Sequence, residues 1–259
     1  MQKDDVKKTG LPTETSAVIN TCGKNIFTPI LFPALAPELY KSRVDTNLIL
    51  RDAILKLAKK PSTFVTMSGA GIYKPDPSIV HDESSTEFSG DFWQDLVSKW
   101  EAACELPDGC PTKTLKIRAG AVLSRQGGMV QMMYPQFQWC LGGRIGSGEQ
   151  YMPFIHIRDL VRLIVFCCEI DTNQEFTRGL ARGMLRPHKF HVPEWLIRRT
   201  LSKERQAILL GSTKVYPRKA LDNGFEFFYQ DIYAALNGLI SIKYYAIFVF
   251  FSSGLARSP

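Results

Sequence analysis

The chain has no apolar run long enough to cross a bilayer. The longest, Tyr244–Phe251, spans eight residues, against the roughly 20 that a spanning helix needs, so no membrane span is expected. The first residues, Met1-Gln2-Lys3-Asp4-Asp5, are polar and acidic where a secretory signal is apolar and a transit peptide avoids acids, so no export signal is read. The six cysteines, at 22, 104, 110, 140, 167 and 168, include no Cys-x-x-Cys pair, and no histidine stands at zinc-finger spacing from them. No metal site is expected, and the thiols read as reduced, as in a cytoplasmic protein, with a mitochondrial one fitting the same pattern. Two further absences concern chemistry. No Gly-x-Gly-x-x-Gly or Gly-x-x-Gly-x-x-Gly occurs, so the glycine cradle for a dinucleotide pyrophosphate is missing. No tyrosine is followed by lysine at the fourth position, so the Tyr-x-x-x-Lys pair of many reductases is missing too.

What is present is the composition of a globular protein. Of its 259 residues, 45% are hydrophobic and 22% charged, enough to bury a full core, which excludes disordered, collagen-like and miniature scaffolds. The formal charge of +7 is unevenly placed: residues 61–110 carry 2 basic and 9 acidic side chains, whereas 178–219 carry 11 basic and 2 acidic. The basic group Arg178, Arg182, Arg186, Lys189, Arg198, Arg199, Lys203 and Arg205 lies among apolar residues and matches no reader motif. It reads as a solvated face, and no nucleic-acid partner is expected.

Short apolar runs alternate with longer amphipathic stretches. Ala17-Val18-Ile19 reads as a buried strand closed by Asn20-Thr21-Cys22-Gly23, and a helix is expected from Pro37 to Lys60 on the stripe Leu50, Ile54, Leu57 and Ala58. Thr63–Met67 is a second strand, left through the turn Ser68-Gly69-Ala70-Gly71. Lys74–Gly90 is an acidic, serine-rich loop. Asp91 then caps a helix carrying Trp93, Leu96, Val97, Trp100 and Cys104 on one face. A strand over Thr114–Arg118, an aromatic-rich helix near Met129–Cys140, a glycine turn over 142–148, a strand at Phe154–Ile157 and a helix from Asp159 to about Cys168 follow. Short helices broken at Pro187, Pro193, Pro217 and Gly224 complete the pattern. Strands alternating with helices imply βαβ units around a parallel sheet, which binds ligands at the carboxyl ends of its strands.

Three residues could support carbonyl chemistry: Ser68 at a strand end, Tyr73 shortly after it, and Lys99 on the next helix, a phenol donating its proton while a nearby cation lowers its pKa. Against this stands the plainer reading of a turn serine, a half-buried aromatic and a solvated lysine. Arg43 and Arg118 could each clamp phosphate bidentately, although a surface arginine is the commoner case. A hydrolase reading fails because the residues around Ser68 lack the first glycine of a nucleophile elbow. His156 and Asp159 read as a packed histidine and a helix cap.

Taken together, Ala17-Val18-Ile19-Asn20…Gly23, Ser42-Arg43-Val44-Asp45-Thr46, Ile117-Arg118-Ala119-Gly120-Ala121-Val122-Leu123, Asp91-Phe92…Lys99-Trp100-Glu101, Leu141-Gly142-Gly143…Gly146-Ser147-Gly148, Ile155-His156-Ile157…Asp159-Leu160 and Pro217-Arg218-Lys219-Ala220-Leu221…Gly224-Phe225 resemble the atypical short-chain dehydrogenase/reductases called epimerase family proteins. The resemblance runs from about residue 4 to 239. It implies an α/β fold: an incomplete Rossmann-like parallel sheet with a smaller, mainly helical C-terminal subdomain. The expected division is 1–170 for the NADP-binding domain, 171–240 for the subdomain and 241–259 for an apolar tail.

By the same resemblance the cofactor is NADP, contacted by Thr21, Cys22, Glu38, Arg43 and Val122, with Ser68 and Tyr73 at the catalytic strand end. Thr21 and Cys22 stand where the family usually has Leu-Ala, a change that backbone contacts tolerate. The family plan also begins with a βαβ unit carrying the phosphate loop, which this sequence lacks, as in a truncated form. A further family strand, between Ile170 and Thr172 here, is expected to be missing as well. The implied function is an NADP-dependent oxidoreductase or epimerase of unassigned substrate. The alternative is a non-catalytic remnant that binds a small molecule or a protein, and self-association through an unpaired sheet edge or the apolar tail is the partner expected beside the unknown substrate.

Overall fold

The structure, a computed structural model, describes residues 3–26, 32–139, 143–169, 175–176, 190–192 and 194–239. Helix α1 (Lys3–Thr9) leads to β1 (Ala17–Asn20), α2 (Phe32–Lys56), β2 (Thr63–Gly69), a 3-10 turn (Ala70–Ile72), β3 (Asp76–His81), α3 (Phe92–Ala102) and β4 (Lys113–Ala119). Then come β5 (Ala121–Leu123), α4 (Gly128–Gln138), β6 (Gly143–Ile145), β7 (Phe154–His156) and α5 (Ile157–Glu169). The chain continues through β8 (Glu175–Phe176), β9 (Phe190–Val192), α6 (Glu194–Thr200), α7 (Lys203–Leu210), β10 (Thr213–Val215), α8 (Arg218–Asp222) and a last helix, α9, over 232–239. Among the described residues no helix is long and apolar enough to cross a membrane.

The main sheet runs β1-β2-β4-β8 and is parallel throughout. Parallel neighbours need crossovers, and α2 and α3 supply them between β1 and β2 and between β2 and β4. The fold is therefore the Rossmann-like α/β arrangement with a mainly helical C-terminal region. Helices cover both sheet faces, which explains why β2 is buried along most of its length. On one face Phe64 packs with Val18, Ile54 and Cys104. On the other, Val65, Leu115 and Ile117 meet Leu160, Leu163, Ile164 and Cys167 of α5. Each such side chain taken fully out of water contributes about 1.5–3 kcal/mol.

Helix α3 forms where its cap and stripe place it. The Asp91 carboxylate accepts the amides of Trp93 at 2.9 Å and Gln94 at 3.3 Å, and Trp93, Leu96, Val97 and Trp100 are buried. Helix α2 departs from expectation, starting before Pro37 and stopping at Lys56. The 68–71 turn is also shorter than expected: Ser68 and Gly69 still pair with β4, opposite Arg118 and Ala119.

Strands β3, β5, β6, β8, β9 and β10 were not expected from the sequence. Asp76–His81 pairs with Thr213–Val215, a partner so distant in sequence that the Pro, Asp and Ser between hydrophobics read as loop. Gly143–Ile145 pairs with β9 before the turn at Gly146 and Gly148, both at positive φ. Beside β4, Glu175 and Phe176 form a two-residue strand where none was expected. Arg178, Arg182, Arg186, Lys189 and the tail 241–259 lie outside the described residues.

The C-terminal region is fastened to α5 and to the β5–β7 pair. Asp159, fully buried, accepts the amides of Phe228 at 3.1 Å and Tyr229 at 2.9 Å as well as Arg162 Nη1 at 3.1 Å. It clamps a distant segment rather than capping its own helix. Ile232, Ala235 and Leu239 of α9 pack on Leu123 and Phe154.

Candidate functional site

Parallel strands deliver their carboxyl ends to one edge of the sheet, so the segments leaving β1, β2 and β4 lie at the same end. The first of these is Thr21-Cys22-Gly23. Beneath it, Asn20 Nδ2 donates to Asn47 Oδ1 at 2.7 Å, Thr66 Oγ1 donates to the same oxygen at 3.0 Å, and Asn47 Nδ2 donates to the Trp100 carbonyl at 3.0 Å. These buried amides hold β1, β2, α2 and α3 in one register. Asn20 Oδ1 also accepts the Cys22 amide at 3.0 Å, a local turn that asparagine favours. Thr21 and Cys22 are exposed on that turn.

Arg43 reaches the same loop from α2. Its Nη2 donates to the Lys24 carbonyl at 3.0 Å, its Nη1 to Ser42 Oγ at 3.2 Å, and its Cζ lies 5.2 Å from the centre of the Trp100 ring. A Cβ on Gly23 would sit 3.3 Å from the guanidinium, so the glycine lets backbone and cation lie flush. No carboxylate of the described residues pairs with Arg43, and burial pushes its pKa down to about 10. Glu38, one helical turn earlier, is half exposed and faces Lys24 Nζ at 3.6 Å. Val122 is half-buried on β5, paired with Ile155 of β7.

Ser68 and Tyr73 are brought together, through partners that the sequence pattern did not point to. Strand alternation points Ser68 to the same face as Phe64 and Thr66, toward α3. There Ser68 Oγ donates to Glu101 Oε1, while Arg118 grips Glu101 through Nε and Nη2, both at 2.8 Å. Arg118 Nη1 donates to the Tyr73 hydroxyl at 3.1 Å, and that hydroxyl donates to the Asp82 carbonyl at 2.9 Å. Ser68 is 5% exposed, Tyr73 1%, Glu101 7% and Arg118 6%. Burial alone would lower the Arg118 pKa; the hydrogen bonds and charge of Glu101 reverse the sign and raise it above the ordinary arginine value. Arg118 is therefore committed to a carboxylate and is not a phosphate clamp.

Lys99 lies elsewhere, exposed and paired with Asp95 at 2.8 Å. The sequence offers Arg118 as a phosphate clamp and Glu101 only within a motif of the resemblance. Their partnership needs the α3 crossover, which brings residues 17 apart into bidentate contact.

His156 closes β7 and is 2% exposed. Its Nδ1 accepts the Arg158 amide at 3.1 Å, so the proton sits on Nε2, which has no hydrogen-bond partner among the described residues, and the ring lies against Tyr229 with centroids 3.8 Å apart. Burial lowers its pKa, with Arg158 adding to the effect and Asp159 opposing it.

Among the described residues, cavities flank the sheet. One of about 280 Å³ runs beside β1, lined by Val6, Leu11, Ile19, Cys22 and Leu50 among others. A larger one of about 610 Å³ lies against Pro107–Lys116, where β4 begins. That is the amino end of the strand, away from the loops just described.

A family model described as a domain of unknown function (DUF1731) matches residues 192–239. The chain is 35% identical over 255 residues to the Bos taurus epimerase family protein SDR39U1, covering 92% of this chain and 86% of that protein. It is similar to the crystal structure of the human epimerase family protein SDR39U1 (isoform 2) with NADPH, at 30% identity and a TM-score of 0.87, covering 93% of this chain and 86% of that one. A nucleoside-diphosphate sugar epimerase from Corynebacterium glutamicum shares the fold at 19% identity, with a TM-score of 0.65 over 86% of this chain and 45% of its own.

Proposed function

The chain belongs to the epimerase family of short-chain dehydrogenase/reductases that includes SDR39U1, and on that premise we propose that it is an oxidoreductase or epimerase using a nicotinamide dinucleotide, specifically NADP. The observation that carries the proposal is Arg43, a half-buried cation without a carboxylate, lying flush on Gly23 at the carboxyl end of β1. A charge withdrawn from water is unfavourable until it is paired, and a phosphate oxygen pair fits a guanidinium fork. The residues present therefore suit a phosphate-bearing coenzyme. In this reading Arg43 binds phosphate, the Thr21–Cys22 turn held by Asn20 Oδ1 lies against it, Glu38 orients Lys24 and the loop, and Val122 forms an apolar wall. The NADPH of the human relative supports NADP over NAD.

When bound, the coenzyme supplies a hydride donor or acceptor. The chain's own residues bind it, orient it and limit water. Ser68 and Tyr73 serve by holding the end of β2 through Glu101 and Arg118, because their hydroxyls are already engaged. That engagement favours a second reading, a module that binds without turnover. The cysteine pattern supports a cytoplasmic location. The β1 edge, where Ile19 is 48% exposed, supports self-association, which sedimentation against an Ile19→Lys variant tests.

Titration with NADPH and NADH, followed through Trp93 and Trp100 fluorescence, tests the main reading. It predicts saturable binding with NADPH preferred, at a Kd on the order of micromolar. Absence of binding by either coenzyme would overturn it. Binding without hydride transfer to any of a panel of carbonyl and sugar-nucleotide substrates would favour the second reading.

A further inference from the structure

Helix α7, within the region matched by the domain of unknown function, bonds to the nucleotide loop. Arg205 Nε on α7 donates to the Ile26 carbonyl at 3.2 Å. Two residues earlier in that loop, the Lys24 carbonyl accepts from Arg43. The same loop is thus held by two guanidinium groups, Arg43 from α2 and Arg205 from the C-terminal region.

Helix α7 is itself well anchored. Trp93 Nε1 on α3 donates to the Glu204 carbonyl at 2.9 Å, and Ala207 and Ile208 pack on the cluster of Leu35, Leu39, Trp93 and Leu96 that also receives Ile26. At its far end Gln150 Nε2 donates to the carbonyls of both Ile145 and Leu209, at 2.8 and 3.2 Å. Ser202 caps its start by accepting the Arg205 amide. Helix α7 meets the loop at the Arg205–Ile26 hydrogen bond, beside the apolar cluster that Ile26, Ala207 and Ile208 share.

We infer that α7 is a strap for the coenzyme loop and that Arg205 is a positioning residue, acting through the Ile26 carbonyl on Thr21–Ile26. Part of the domain of unknown function thereby acquires a role, holding the nucleotide loop in its binding conformation before any ligand arrives. A loop already ordered loses less freedom on binding, so the strap's contribution appears as affinity. The inference rests on the coenzyme reading for its functional consequence and on the free protein for its structural one.

The test compares the wild type with Arg205→Ala and Arg205→Lys in two measurements. In the free protein, amide hydrogen exchange at Cys22, Gly23 and Lys24 is expected to speed up by about five-fold in Arg205→Ala, the scale of one partly exposed hydrogen bond. NADPH Kd is expected to rise by a similar factor. Arg205→Lys, which keeps a donor, should recover most of both, whereas a role in packing alone would leave loop exchange unchanged and give no rescue. Unchanged loop exchange in Arg205→Ala overturns the strap. If the wild type binds no NADPH, the coenzyme reading fails and the exchange result still decides the strap. Should Arg205→Ala fold poorly, Ser202→Ala, which loosens α7 at its start, must speed exchange of the same amides without touching the Ile26 bond.

Discussion

Replacing Glu101 with Gln removes the charge from the most buried ion pair of the described residues. Arg118 then keeps its positive charge at 6% exposure with its carboxylate partner gone, and Ser68 loses an ionised acceptor. Breaking one side of a buried pair costs about 3–5 kcal/mol, a large share of the roughly 5–15 kcal/mol that keeps a domain folded. With a urea slope of about 3 kcal/mol per molar for a chain of this length, the unfolding midpoint should fall by about 1 M or more. Trp93 and Trp100 fluorescence reports it, since both sit on the same helix. Replacing both partners by apolar residues of similar size, Glu101→Leu with Arg118→Met, should recover most of the loss, because no charge is then left without a partner. A midpoint shift below about 0.3 M for Glu101→Gln, worth under 1 kcal/mol at that slope, would refute the view that this pair holds β2, β4 and α3 together.

Other consequences follow from single contacts. Because burial depresses the folded-state pKa of His156, the unfolded chain binds the proton more readily, and stability should fall as pH drops below about 6.5. In His156→Phe that part of the slope should vanish from melting curves between pH 7.5 and 5. Gly120→Ala would place a Cβ 2.2 Å from the Pro153 carbonyl oxygen, so the β5–β7 pair must move at a cost of about 1–3 kcal/mol, read as a lowered melting temperature. Asp159→Ala leaves the Phe228 and Tyr229 amides without their acceptor, a loss of about 1 kcal/mol for each partly buried hydrogen bond. Limited proteolysis should then cut first near 225–230, and an unchanged cleavage pattern would contradict the clamp.

The elements legible in the sequence are those whose signals are local. Helix α3 carries its own cap in Asp91 and its own stripe, and β2 carries a β-branched run bounded by turn residues, so both were expected within a few residues of where they lie. Strand β3 was not, because Asp-Pro-Ser has no strand signal and its partner arrives from beyond residue 210. The site divides in the same way. Resemblance pointed to the loop after Asn20 and to Arg43. That Arg118 is bound to Glu101 while Arg43 has no carboxylate partner depends on which helix crosses which strand end, and two strand- or helix-borne arginines look alike until that is known. Ser68 shows the same limit: its place near a strand end was legible, but its direction follows from the strand continuing to Gly69, which keeps Ser68 in alternation with Thr66.

Calorimetric titration of NADPH into the wild type and into Arg43→Ala tests the central claim most directly, because among the described residues Arg43 has no carboxylate partner and its hydrogen bonds go to one carbonyl and one hydroxyl. The account predicts that NADPH affinity falls by about ten-fold or more in the variant, the worth of one charged phosphate contact, at an unchanged melting temperature. Equal affinities in the two proteins would contradict it.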